Sequence, residues 1–371
     1  MRFCLVSTQE HWGGGEALLS SIGTELQKLG HAVSWIVREH SDVAARMALG
    51  GAQVLHVTKK RGLNLSDWWA VRHALRAWVP DVVLLNDSHA VPLAGSASWF
   101  CRLPRPKRIA YKHTIFPLRS QLKYRLLSDR LVCVSQAARD NVVAGGIPAR
   151  RAVVIYGGCE TIEPNFAAGN HLRQQLQLKP QQKLLVAVGS LLECKGHRDL
   201  VEALHLLREP RPELVLAIAG EGPERKRLEQ QISDLQLTDR VHLLGYRTDA
   251  VDWMTAADLV VHPSHAEGLS LVLIQAQMLR KPIVATAVGG AAEVLAASTD
   301  ACSSWLVEPG NASHLAQQLG QAIRAVESSG QGDPTQQFSA RLEHTAQRMY
   351  RDFTIGKTAQ KLADLAAELL R

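Results

Sequence analysis

Residues 259–276 read Leu259-Val260-Val261-His262-Pro263-Ser264-His265-Ala266-Glu267-Gly268-Leu269-Ser270-Leu271-Val272-Leu273-Ile274-Gln275-Ala276, and this stretch decides the fold class. It opens as a buried apolar strand, turns at Pro263, sets an acidic residue beside a glycine and continues as an apolar helix. The start of a helix leaves backbone N–H groups unpaired and carries a partial positive charge, so anions bind there. One short element thus offers Glu267 as a carboxylate and Gly268, Leu269 and Ser270 as amide donors. That chemistry suits a sugar joined to a phosphate.

The same strand-turn-helix unit recurs along the whole chain. Expected strands cover 3–7, 32–37, 52–57, 82–86, 108–111, 131–135 and 153–156, then 184–188, 214–219, 241–244, 259–262, 283–286 and 304–307. Helical patterns lie between them, as at 15–29 and 198–207. Apolar strands alternating with helices predict an α/β protein whose parallel sheets are covered on both faces. The series runs twice, with the join near Gly157-Gly158 and through the polar stretch 161–170. The expectation is two doubly wound domains, 1–160 and 161–349, facing each other across a cleft. In such sheets ligands bind at the carboxyl ends of the strands. Residues 331–334 read as a surface loop and 358–370 as an amphipathic helix.

With 371 residues, 46% of them hydrophobic, the chain has enough apolar side chains for two packed cores. No apolar run approaches the ~20 residues that span a bilayer, and the apolar stretch after Met1 is too short for a secretion signal. A cytoplasmic protein is expected. Six scattered cysteines (Cys4, Cys101, Cys133, Cys159, Cys194, Cys302) form no Cys-x-x-Cys pair and read as structural thiols. Charge is uneven: residues 1–160 carry 21 Lys and Arg against 11 Asp and Glu, and the remainder 21 against 24. The basic residues are densest at Arg102, Arg105, Lys107, Arg108, Lys112, Arg119, Lys123, Arg125 and Arg130. Such a face is either solvated or drawn to an anionic membrane or acceptor. Nucleic acid is not expected, because no recognition motif or aromatic stacking pattern accompanies the charge.

Four glycine-bearing turns follow strands. Trp12-Gly13-Gly14-Gly15-Glu16 resembles a dinucleotide loop, but the third glycine of that pattern is Leu18. With Glu39 near the end of the second strand, an NAD(P)-dependent oxidoreductase stays open as a weaker alternative. Val188-Gly189-Ser190-Leu191-Leu192-Glu193-Cys194-Lys195-Gly196 places Lys195 near a helix entrance, where it can neutralise a diphosphate. Ala219-Gly220-Glu221-Gly222-Pro223 lets backbone approach a ligand. Val288-Gly289-Gly290-Ala291-Ala292-Glu293 offers another amide cradle. Arg247 is a further donor-side candidate. His113 follows a strand and projects from a loop of the first domain; His89 and His265 are weaker candidates.

Taken in order, Gly189 to Gly196, Gly220 to Pro223, Pro263-Ser264 before Glu267-Gly268, and Gly289 to Glu293 resemble glycosyltransferase family 4, retaining nucleotide-sugar transferases of the GT-B fold. The resemblance covers nearly the whole chain and is strongest from Val188 to Glu293. It implies that Glu267, the first carboxylate of the family's Glu-x7-Glu, sits near the donor sugar and its phosphate. It further implies that Lys195 binds the diphosphate, that Gly268, Leu269 and Ser270 present amides, and that His113 contacts the donor sugar. Gly14 and Gly15 would lie close to the reaction centre. The last helix, about 350–371, would pack back on the first domain. Two departures stand out. Gln275 replaces the second glutamate, which in the family holds the ribose hydroxyls, and Ser190 replaces a frequent arginine. The implied activity is metal-independent transfer of a hexose, with retention, from a nucleoside-diphosphate sugar. A UDP-sugar is favoured as donor. A saccharide or lipid-linked acceptor such as lipopolysaccharide core would place the enzyme on the inner face of the cytoplasmic membrane. A non-catalytic sugar-nucleotide-binding protein and a GT-B epimerase are the related alternatives.

Overall fold

A computed structural model describes residues 1–49, 53–58, 64–101, 104–295, 304–328 and 333–371. The described strands are β1 (Arg2–Ser7), β2 (Ala32–Arg38), β3 (Gln53–Val57), β4 (Val82–Leu85), β5 (Lys107–Lys112), β6 (Arg130–Cys133) and β7 (Ala152–Val154), followed by β8 (Lys183–Val188), β9 (Leu214–Ala219), β10 (Val241–Gly245), β11 (Leu259–His262), β12 (Ile283–Thr286) and β13 (Ser304–Val307). Each lies within two residues of its expected position. Every residue of β4, β9, β11 and β12 is buried. A parallel strand covered by helices on both faces has no polar side to alternate with, so it reads as an unbroken apolar run.

The chain forms two compact units, Met1–Glu160 with Phe353–Arg371, and Thr161–Asp352. The first holds a seven-stranded sheet in the order β3-β2-β1-β4-β5-β6-β7, the second a six-stranded sheet in the order β10-β9-β8-β11-β12-β13. All pairings between strands are parallel. Strand order reverses between β1 and β4 in one sheet and between β8 and β11 in the other. Loops leaving those neighbouring strands diverge to opposite faces and leave a crevice at their carboxyl ends. These two doubly wound sheets, with helices packed around them, are the architecture of the GT-B fold.

The C-terminal helix Ile355–Leu370 belongs to the first unit and packs on the helix Gly14–Lys28. Gly158 makes the return possible: a Cβ there would lie 2.4 Å from the Thr354 carbonyl. Cys159 bridges to Thr354 beside it. The units divide between Glu160 and Thr161, where the join was expected, and the helix Phe166–Gln175 begins within the stretch 161–170, capped by the Asn165 side chain on Ala168 N at 3.1 Å. Of the expected loop 331–334, Gln331 and Gly332 lie outside the described residues, while Asp333 and Pro334 open the helix Asp333–Asp352. Proline is accommodated in a first turn because the N–H it lacks would have no intrahelical partner there.

The basic face of the first unit is smaller than its sequence suggests. Lys112 is buried and donates to Thr114 Oγ1 at 3.0 Å and to the Phe116 carbonyl at 2.5 Å. Arg108 is held by Asp129 at 2.8 Å. Arg102 lies outside the described residues. Arg105, Arg119 and Arg125 remain exposed, the last two among the exposed side chains of Phe116, Leu122 and Leu126. Cys4, Cys133 and Cys159 are buried, and burial pushes each thiol up to about 12. Cys302 lies outside the described residues. Among the described residues no helix is long and apolar enough to cross a membrane.

Candidate active site

The carboxyl ends of β8 and β11 carry the chemistry of the second unit. After β8 the chain runs through Gly189 and the exposed Ser190 into a short helical turn, Glu193–Lys195. Gly196 follows with φ +66° and caps the helix His197–Leu206. A Cβ at Gly196 would lie 2.0 Å from the Pro263 carbonyl oxygen, so this loop is pressed against the one leaving β11. His265 N donates to the Cys194 carbonyl at 2.8 Å and ties the two loops. His265 Nε2 also meets Asp199 at 2.5 Å.

Lys195 and Glu267 meet where the loops touch. Lys195 Nζ donates to Glu267 Oε1 at 2.5 Å. The same oxygen accepts from Ser264 Oγ at 2.9 Å and lies 3.0 Å from His262 Nε2. A carboxylate only accepts, so His262 Nε2 carries its proton here. Glu267 is 7% exposed, His262 4% and Ser264 1%, so the cluster is nearly dry. Burial pushes the Glu267 carboxyl up, but the His262 hydrogen bond and the Lys195 ammonium outweigh it and bring the group down to about 2. Below the cluster Thr286, at the end of β12, donates to the Ser264 carbonyl. Gly290 N donates to the Glu267 carbonyl at 3.2 Å. The Gly289-Gly290 turn therefore holds the Glu267 loop, with the Gly290 amide engaged within the protein.

The helix expected directly after Glu267 begins at Leu271, with Ser270 as its cap; Ser270 Oγ accepts from Leu273 N at 3.3 Å. Gly268 and Leu269 precede the helix, and their amides have no hydrogen-bond partner among the described residues. Gln275 is one turn in, half-buried, with no side-chain hydrogen bond among the described residues. Gly220 and Gly222 also have a packing role. A Cβ at Gly220 would lie 1.8 Å from the Gly189 carbonyl oxygen, and one at Gly222 2.5 Å from that of Leu191. Their space is taken by the Gly189–Leu191 backbone, so they pack this turn against the loop after β8. Arg247 does not join the cluster. It grips Asp249 through two hydrogen bonds of 2.7 and 2.5 Å. It follows the edge strand β10, three strand spacings from β11, about 14 Å at the usual interstrand distance.

In the first unit the corresponding position lies at the ends of β1 and β4. Thr8 N and Oγ1 donate to Asp87 at 2.6 and 2.8 Å and lock the two loops together. His113, just past β5, stacks on Tyr111 with ring centroids 5.3 Å apart. Its Nε2 lies 2.8 Å from Asn86 Oδ1. Gly15 lies over the ring, where a Cβ would come 3.3 Å from His113. Gly14 is exposed and a Cβ there would meet nothing within 4 Å. Leu18, at the place of the missing third glycine, is buried in the core.

Residue type and spacing do not single out His262 and Thr286 in the second unit, or Asn86 and Glu16 in the first, as partners of these clusters. The one available signal was position: each is a polar residue at, or just beyond, the carboxyl end of an apolar strand, or in the first turn after a glycine loop.

The profile of glycosyl transferases group 1 matches residues 170–330, and that of Glycosyltransferase Family 4 matches residues 12–162. Lipopolysaccharide glucosyltransferase WaaG of Escherichia coli is 34% identical over 41% of this chain and 40% of its own length. The phosphatidylinositol N-acetylglucosaminyltransferase gpi3 subunit of Schizosaccharomyces pombe is 27% identical over 76% of this chain and 65% of its own. The matches thus span between 40% and 65% of the length of these two relatives. Among solved structures, HepE from Anabaena in complex with UDP superposes with a TM-score of 0.83 at 22% identity, covering 99% of this chain and 100% of that one, which shows a common fold. The two profiles fall on the two units one after the other, and with the ordered motifs and the paired parallel sheets they place this chain in the glycosyltransferase family 4 group of GT-B proteins.

Proposed function

We propose that this protein is a retaining glycosyltransferase that moves a hexose from a nucleoside-diphosphate sugar to a saccharide or lipid-linked acceptor. The observation that carries the reading is the Lys195–Glu267 pair at the crevice between β8 and β11, beside the amides of Gly268 and Leu269, which have no partner among the described residues. Breaking the bond between sugar and diphosphate puts negative charge on the leaving oxygen. A fixed cation and preorganised amides in a water-poor site stabilise that charge most where it develops. Glu267 holds Lys195 in one place until the diphosphate arrives, and the ammonium then serves both anions. In this mechanism Lys195 supplies the cation, and the departing phosphate takes the proton of the acceptor hydroxyl on the same face, which retains configuration. Gln275, with its amide free, is the group for the ribose.

A UDP-sugar is the favoured donor; HepE of Anabaena, which shares the fold, has been solved with UDP and with UDP-glucose. Two relatives act on lipopolysaccharide by name, which supports an acceptor of that kind. Exposed Phe116, Leu122 and Leu126 beside Arg119 and Arg125 support contact with an anionic membrane. The deciding experiment screens nucleotide sugars for thermal stabilisation, then follows the stabilising donor by nuclear magnetic resonance with acceptor and with EDTA present. Release of nucleotide with a retained anomeric bond, unaffected by EDTA, is the expected result. Stabilisation without nucleotide release points to a binding module, and release of a free epimerised sugar to an epimerase. Sedimentation with vesicles that does not depend on anionic lipid rejects the membrane surface.

A further inference from the structure

Beneath His113 lies a polar chain that no part of the donor site requires. Glu16 stands in the first turn of the helix Gly14–Lys28 and is buried. Asn86, at the end of β4 and 2% exposed, has Nδ2 3.3 Å from Glu16 Oε1 and Oδ1 2.8 Å from His113 Nε2. The direction of this chain follows from what each group can donate. An ionised carboxylate only accepts, so the Asn86 atom facing it is the NH2 group. The opposite atom is then the carbonyl oxygen, which also only accepts. His113 Nε2 must therefore carry a proton. Burial brings the His113 ring down to about 4, with Asp87 opposing and Lys112 assisting, so the ring is neutral at pH 7 and Nδ1 is left with a lone pair. Nδ1 has no hydrogen-bond partner among the described residues.

We propose that Glu16 is a positioning residue for the transfer reaction: through the Asn86 amide it fixes His113 as the Nε2–H tautomer and leaves Nδ1 to accept a hydrogen bond from a hydroxyl of a sugar substrate. This rests on the donor reading above. Without Glu16 the Asn86 amide is free to turn over, and its NH2 group would then select the opposite tautomer, whose Nδ1–H cannot accept.

The test uses the full chain labelled with 15N-histidine. At pH 7 the His113 imidazole should show protonated Nε2 and unprotonated Nδ1, and the Nδ1 resonance should move with saturating UDP-glucose but not with UDP. Glu16→Ala should mix the tautomers and lower kcat/KM about tenfold, the effect of one lost hydrogen bond, while Glu16→Gln, which can still accept from Asn86, should restore both. A wild-type ring protonated on Nδ1, or a Glu16→Ala chain that keeps one Nε2–H tautomer, overturns the relay without touching the donor reading. An Nδ1 resonance that stays still while UDP-glucose stabilises the fold overturns the sugar contact. A chain that no nucleotide sugar stabilises defeats the donor reading itself, and the wild-type tautomer still decides the relay.

Discussion

Lys195 Nζ sits 2.5 Å from Glu267 Oε1, joining residues 72 positions apart in the chain. Both belong to loops that leave neighbouring strands at the point where strand order reverses. Each keeps the other's charge tolerable in a nearly dry crevice.

Replacing Lys195 tests the charge assignment. Lys195→Ala should lower kcat for every accepted donor by about a hundred- to a thousandfold, the usual loss when one preorganised group opposite a developing charge is removed. Turnover at the wild-type rate would end that assignment.

Acid should act on Glu267 with a definite sign. Its carboxyl is depressed from 4.5 to about 2 in the folded chain, so its contribution to stability is complete above about pH 5 and fades as pH falls toward 2. Relative to Glu267→Gln, which does not titrate, the wild type should lose up to about 3 kcal/mol over that interval. Denaturant unfolding of both chains at pH 6, 4 and 3 measures it, and parallel curves would contradict the pairing.

Gln275→Glu should tighten donor binding about fivefold, because a carboxylate accepts a stronger, charge-assisted hydrogen bond from a ribose hydroxyl than a neutral amide does. Calorimetry with the stabilising nucleotide sugar reads the change; weaker binding would remove Gln275 from the ribose.

Two glycines should behave oppositely although both follow strands. Gly220→Ala forces a methyl group to within 1.8 Å of the Gly189 carbonyl oxygen, and displacing that backbone should cost on the order of 3 kcal/mol. Gly14→Ala meets nothing within 4 Å at the first position of a helix and should change stability by less than about 1 kcal/mol. Urea midpoints of equal size for the two variants would refute this.

The thirteen described strands were legible in the sequence because a parallel strand buried on both faces is an uninterrupted apolar run. The glycine turns were legible as turns, but not their purpose. Gly15 lies close to another residue's side chain, Gly14 faces open space, and Gly220 and Gly222 make room for the protein's own backbone. Lys195, Glu267, Gly268 and Leu269 could be named from residue type and spacing. That Arg247 is occupied by Asp249, and that Lys112 is buried, could not, because a side chain's partner depends on what the fold brings beside it.

Local sequence thus determined which segments are strands, which are helices, and which turns carry charge, since periodicity and turn chemistry act over a few residues. Strand order was decided only in three dimensions. It sets β8 against β11 and β1 against β4, and so brings Lys195 to Glu267 and Asn86 within reach of both Glu16 and His113. Those contacts are between residues far apart in the chain, and only the packed sheets hold them at hydrogen-bonding distance.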